Sequence, residues 1–381
     1  MNSNLPPAEL LEAVYVRVST TLDIPPVIEP TILDWLEVVV RNPQNRAPVR
    51  VLLAALLAKL DRPTIDIRKP YTAIGSEDSY SGRTYDERYL TSFIQKHRLP
   101  CNATTAFLTP AFRNRNIVLT PDVNLVGRPP KVYYALLHLL ASVHEGAIPA
   151  DTLLAETIRQ LVVLRDERQR RIAAILGDLR LLQGELALSA EAMISLIGQH
   201  LALPGSSRLP VLVVAAAYRA VGDRLGEQAV PLLSHNAADF QTHAYGDLQV
   251  TLMNDEQIIT CYEMKMRRVT ENDLDLAMEK IATAPHTLNN YIFITTSEID
   301  PLVQEYARSL YDTTGGVEFV VLDCIGFLRY FLHLFYRLRV QFLDAYQELL
   351  LAEPESSVSH ALKEAFLTAR LAAESSSRDE A

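Results

Sequence analysis

The stretch Tyr245–Met266, YGDLQVTLMNDEQIITCYEMKM, decides how the chain is read. Leu248–Leu252 and Ile258–Met264 have strand character, and Asn254-Asp255 between them is a turn pair, so the stretch predicts an antiparallel hairpin. Asp247 stands at the start of the first strand and Glu263-Met264-Lys265 at the end of the second, with 15 residues between Asp247 and Glu263. Such a hairpin sets those two carboxylates across from each other. Side chains alternate faces along a strand, so Glu263 and Lys265 share a face while Met264 points into the opposite layer.

Working outward toward the C-terminus, Thr270-Glu271-Asn272-Asp273 is a capping-box-like start, followed by Leu274, Leu276, Ala277 and Ile281 at helical spacing. Strand-like Tyr291–Thr295, helical Pro301–Tyr311 and strand-like Val317–Leu322 come next, then an apolar helical run over Phe327–Leu351. Toward the N-terminus, Pro210–Leu225 reads as a buried helix and Ser234–Ala244 as an irregular loop. This alternation predicts an α/β (α+β) core, a mixed central sheet flanked by helices.

Earlier still the pattern is helical, with Leu10, Leu11, Val14 and Tyr15, then Ile32, Leu33, Leu36 and Val39, recurring at three- and four-residue spacing. Arg62–Lys131 breaks that period with many turn formers, a length of irregular chain that is uncommon unless it has a job. Helical periodicity returns from Val132 to Leu203, interrupted by the mixed-charge run Arg165–Arg171, which reads as a solvated face. Leu203–Ser207 (LPGSS) reads as a boundary. The division expected is therefore a largely helical region over 1–205, a core over 206–345, and a C-terminal helix and tail over 346–381.

Composition narrows the classes. With 381 residues, 49% apolar and 22% charged, most of the chain belongs in packed domains. Cys101, Cys261 and Cys324 lie far apart without CxxC or Cys/His spacing, which supports neither a zinc site nor a disulfide framework. Neither GxxxxGK[ST], GxGxxG nor GxSxG occurs, so nucleotide-driven motion, hydride transfer and serine hydrolysis lack their motifs. No signal-like start and no run of about 18 apolar residues is found, so the expectation is a cytoplasmic protein without membrane association. The 36 Lys+Arg against 46 Asp+Glu, net −10, argue against a uniformly basic nucleic-acid coat. Arg62–Lys131 departs from that total, with 11 basic against 6 acidic residues.

Two carboxylates and an ammonium converging at one sheet edge have the makings of a phosphodiester-hydrolysing site. Asp247 and Glu263 supply hard oxygens for Mg²⁺, with Mn²⁺ as a substitute, and the Met264 backbone carbonyl is a further ligand candidate. Lys265 is placed to orient the attacking water and to offset charge in the transition state. Glu227, and with it Asp223, is a candidate for an extra acidic ligand.

This Asp…ExK pattern resembles the PD-(D/E)xK nuclease superfamily, with Gly246-Asp247 where that motif has Pro-Asp. Three further stretches, Ile67–Asn116, Ser234–Val250 and Tyr262–Leu274, resemble the SacI family of type II restriction endonucleases over most of the chain from about Arg62. The resemblance implies Mg²⁺-dependent cleavage of double-stranded DNA at a short fixed site, with host DNA protected by a partner methyltransferase. A palindromic site further suggests a homodimer. The base sequence recognised stays open.

If DNA is the substrate, Arg62–Lys131 is where its contacts are expected. Arg68, Lys69, Arg83 and Arg113 are interleaved there with Tyr71, Tyr80, Tyr85 and Tyr89, and Arg113-Asn114-Arg115-Asn116 offers both common base-reading side-chain types within four residues. His235 and Asn236, in the loop before the hairpin, are further candidates for contact with the backbone or minor groove. Two other readings use the same sequence: a structure-specific or repair nuclease with the same core, and a non-catalytic helical interaction protein.

Overall fold

The computed structural model describes residues 5–27, 29–113, 116–182, 187–230, 245–255, 257–282 and 288–379. The chain forms two compact units, Met1–Arg170 and Arg171–Ala381. They divide within a helix, 35 residues before the boundary expected at Gly205, because the helices between Arg171 and Gly205 join the second core. The segment after residue 345 likewise packs into that second core rather than standing apart.

The first unit is built from α1 (Pro7–Ser19), α2 (Pro30–Arg41), α3 (Ala47–Asp61), α4 (Pro130–His144) and the first part of α5 (Ala150–Leu181). α3 is apolar almost all round, and Ala47 through Ala58 are buried without a break, the pattern of a central helix. The segment from Arg62 to Lys131 carries short pieces only: one-turn 3₁₀ helices at Thr72–Ile74 and Ala106–Leu108, and a helical stretch in which a π turn, Asp86–Leu90, joins Gly82–Tyr85 to Thr91–Lys96. A fully buried ion pair fastens it to α3. Asp86 accepts from Arg50 Nε (2.7 Å), Thr105 Oγ1 (2.7 Å) and the Ala106 amide (2.8 Å), while Arg50 also reaches Thr91 Oγ1 at 2.8 Å.

The second unit is mixed α/β. A five-stranded sheet has the order β1 (Glu227–Ala229), β2 (Leu248–Leu252), β3 (Ile258–Lys265), β4 (Asn290–Thr295), β5 (Glu318–Asp323). β1, β2 and β3 are antiparallel neighbours, and β3, β4 and β5 are parallel. The two parallel crossovers are α8 (Glu271–Ala282) and α9 (Pro301–Thr313), after α6 (Ala190–Leu201) and α7 (Leu209–Leu225). Cys261, Tyr291, Phe293, Phe319 and Val321 face α8 and α9 across one core. On the other face Leu248, Val250, Tyr262 and Ile294 meet α6, α7, α10 (Cys324–Leu334), α11 (Arg339–Ala352) and α12 (His360–Asp379). The expected single helix over Phe327–Leu351 is two, parted by a 3₁₀ turn at Tyr336–Leu338. No described helix is long and apolar enough to cross a membrane.

Candidate active site

The predicted hairpin is present, and its register explains the site. Leu248 pairs with Tyr262 in the antiparallel ladder, so one step further brings Asp247 opposite Glu263. The approach is close at Gly246, where a Cβ would stand 2.6 Å from the Tyr262 carbonyl oxygen. A proline in that place would meet the same carbonyl, which accounts for glycine before this aspartate. Asp247 is held by the Met264 amide, which donates to its Oδ2 at 2.7 Å. In an extended strand the N–H and C=O of one residue point to the same side, so the Met264 carbonyl is turned toward Asp247 as well.

Glu263 and Lys265 share the sheet face covered by α8, and Met264 packs into the opposite core. Lys265 Nζ lies 3.0 Å from Glu263 Oε1 and 3.5 Å from Asp273 Oδ1. The other Glu263 oxygen, Oε2, is 3.1 Å from the Tyr291 hydroxyl and 3.6 Å from Lys280 Nζ. Tyr291 has a single hydroxyl proton to share between that oxygen and the Tyr245 carbonyl at 2.7 Å. Burial, and next the charge of Glu263, push the Tyr291 phenol far above its ordinary range, so it remains a donor. Burial pushes the Cys261 thiol, on the same face, up to about 12, which leaves it protonated and unreactive as a nucleophile.

Three contributors beyond the strand motif were not picked out from the sequence as site residues. Asp273 belongs to the expected helix cap, and it does cap: its Oδ2 accepts from the Thr270 amide at 3.0 Å and from Thr270 Oγ1 at 2.8 Å. It also takes two hydrogen bonds from Arg267, both at 2.7 Å. Burial works against its charge, yet the Arg267 and Thr270 hydrogen bonds and nearby Lys265 hold its carboxyl well below the usual range. Lys280 follows Asp273 by seven residues, two turns of α8, which puts both on one helix face; that spacing was the available signal. Tyr291 comes from β4 through the parallel register Cys261↔Tyr291 and could not be found without it.

Glu227 does not join this group. It pairs with Leu252 at the far end of β2, five residues or about 16 Å along the strand from Asp247. It also shares the face of Ala229, which packs into the opposite core. Asp223 is exposed near the end of α7, just before that strand.

In the first unit, the expected DNA-facing side chains divide. Arg68 is bound twice by Asp66 (3.0 and 2.8 Å), Lys69 twice by Asp78 (2.9 and 2.7 Å) and Arg83 by Glu87 (2.7 Å). Tyr85 is buried and its hydroxyl donates to Asp61, while buried Tyr80 donates to the Ile67 carbonyl, so these two are packing residues. Arg113 and Asn116 are exposed. Asn114, Arg115, His235 and Asn236 lie outside the described residues.

Among the described residues no group of three or more His, Cys, Asp and Glu side chains is disposed to hold a metal ion. Two opposed carboxylates beside a turned-in carbonyl are a donor set that fits Mg²⁺, which takes one or two carboxylates and keeps several waters. The chain matches no protein-family model and no curated protein.

Proposed function

We propose that the chain is a Mg²⁺-dependent endonuclease that hydrolyses double-stranded DNA at a specific site, in the manner of the type II restriction enzymes its motifs resemble. The observation that carries the reading is the Met264 amide bond to Asp247, which binds that carboxylate to the strand bearing Glu263 and Lys265. In this reading Asp247, Glu263 and the Met264 carbonyl hold Mg²⁺. When bound, the ion supplies polarisation of the scissile phosphate and a water of lowered pKa. Lys265, as an ammonium, donates a hydrogen bond that orients the attacking water and offsets the charge gathering on the phosphate. Asp273 and Glu263 fix the position of that ammonium from two sides. The wider reading places the enzyme in the cytoplasm as a homodimer on a palindromic site, with a DNA methyltransferase as genetic partner.

The test is digestion of a long defined DNA followed by sequencing of the ends. Discrete fragments with Mg²⁺ or Mn²⁺ and none with EDTA are expected. Lys265→Ala should lose about 10²- to 10⁴-fold in cleavage rate while still retarding DNA in a gel. A smear of products, or undiminished cutting by Lys265→Ala, would end the proposal; cutting confined to branched or damaged DNA would favour a repair nuclease instead.

A further inference from the structure

On the sheet face covered by α8, Gln249 pairs with Cys261 and Cys261 with Tyr291, and in the next row Asp247 stands opposite Glu263. Leu248 and Val250 point into the other core, so Gln249 shares the face of Asp247. Gln249 is half-buried, and its amide nitrogen has neither solvent contact nor a hydrogen-bond partner among the described residues. A buried donor without an acceptor weakens a fold, and such groups are few in native proteins. In its own row Cys261 presents a protonated thiol, a weak acceptor, and the Tyr291 hydroxyl is engaged with Glu263 and the Tyr245 carbonyl. The strong acceptors are the carboxylates one row on. Asp247, two residues along the strand, is about 7 Å away between Cα atoms, within reach of a long side chain. An ionised carboxylate accepts at about four positions, so Asp247 can take a further donor beside those it already has, among them the Met264 amide.

We propose that Gln249 is a positioning residue of the metal site, whose amide nitrogen finds its acceptor in the Asp247 carboxylate when the ion is bound. The inference rests on the proposed metal site. Carboxylates that bind a metal are themselves oriented by outer hydrogen bonds. Tyr291, from the same row as Gln249, already reaches Glu263 Oε2 at 3.1 Å, and Gln249 does the like for Asp247. The idle donor weakens the metal-free fold, and pairing it on loading adds to the affinity.

Calorimetric titration with Mn²⁺ and urea unfolding of the metal-free protein, both on the full chain, test this without any appeal to cleavage. Gln249→Met and Gln249→Leu keep most of the side-chain bulk and remove the donor. Both should bind Mn²⁺ about tenfold more weakly than wild type, and at least one should raise the urea midpoint by about 0.3 M. Weaker binding with a midpoint at or above that of wild type in at least one variant supports the proposal, because a packing residue does not give that combination. Wild-type affinity in either variant overturns it and leaves the metal site standing. So does weaker binding with a lowered midpoint in both variants, which assigns Gln249 to packing. No heat with wild type, or unchanged binding in Glu263→Gln, overturns the metal site and the inference together.

Discussion

Arg50–Asp86 in the first unit and Glu263–Lys265–Asp273 in the second both pair carboxylates with a cation, and the molecule uses them for different ends. The first pair has no solvent exposure on either side chain, and Asp86 is saturated by a guanidinium, a hydroxyl and an amide. Nothing from outside can replace any of these partners, so the pair acts as a fastener for chain that lacks regular structure. Glu263 and Lys265 retain 16% and 22% exposure, and one oxygen of Glu263 faces an ammonium at 3.6 Å. Partners that solvent can reach can be exchanged for a ligand. The comparison teaches that burial and saturation separate a structural ion pair from a candidate site.

The strongest way to break the comparison is to unpair the fastener. Asp86→Ala leaves Arg50 buried without a counter-charge and should cost about 3–5 kcal/mol, read as a lowered urea midpoint for the first unit. Replacing both partners by apolar residues of similar volume, Arg50→Met with Asp86→Leu, should recover most of that loss. A loss below about 1 kcal/mol in Asp86→Ala would mean that the pair is solvated in solution and fastens nothing.

The same contrast explains what could be read from the sequence. β2 came out at its observed limits and the three longer strands within a residue, because alternation and apolar runs are local signals. The strand triad of Asp247, Glu263 and Lys265 needed only a period of two and a hairpin turn. β1 has three residues, too few to show any period, and the break between α10 and α11 is hidden because apolar residues continue through Phe335 and buried Leu338. The irregular segment is the hardest to read. Interleaved arginines and tyrosines looked like a DNA surface, yet several bind nearby carboxylates or lie in the core. Contacts such as Arg50 to Asp86, 36 residues apart, leave no trace in spacing. Asp273 and Lys280 show in the sequence only as neighbours on one helix face, and that face becomes part of the site only after α8 docks on the sheet.

A smaller effect sharpens the role of burial within the second unit. His200 lies between α6, α11 and α12, with Nδ1 2.9 Å from the Tyr346 hydroxyl and Nε2 3.0 Å from the Leu362 carbonyl. A neutral imidazole satisfies both contacts. Burial lowers its pKa from 6.5 to about 4, against a weaker opposing effect of the Leu362 carbonyl. Between those values the unfolded chain binds the extra proton and the folded chain does not. The stabilisation is therefore whole above pH 6.5 and lost as pH falls through about 4, amounting to roughly 3 kcal/mol. Denaturation midpoints for wild type should drop over that window, and His200→Gln should flatten the drop; an equally steep fall in His200→Gln would assign the dependence to other groups.

The least effect concerns the cations of the first unit, and it applies the same criterion to an exposed surface. Arg83 is exposed but spends its charge on Glu87, one turn away on the same helical stretch, whereas Arg113 is exposed near Asn116. A phosphate competing for Arg83 must first give up the Glu87 contact, so little net attraction remains there. If Arg113 meets a phosphate, Arg113→Ala should weaken binding of uncut duplex severalfold and reduce the salt slope of the affinity by about 1. Arg83→Ala should alter neither the slope nor, beyond about 0.5 kcal/mol, the stability. Equal losses in both variants would show that an i,i+4 carboxylate does not withdraw an arginine from DNA, and pairing would then cease to separate structural from DNA-contacting cations in this segment.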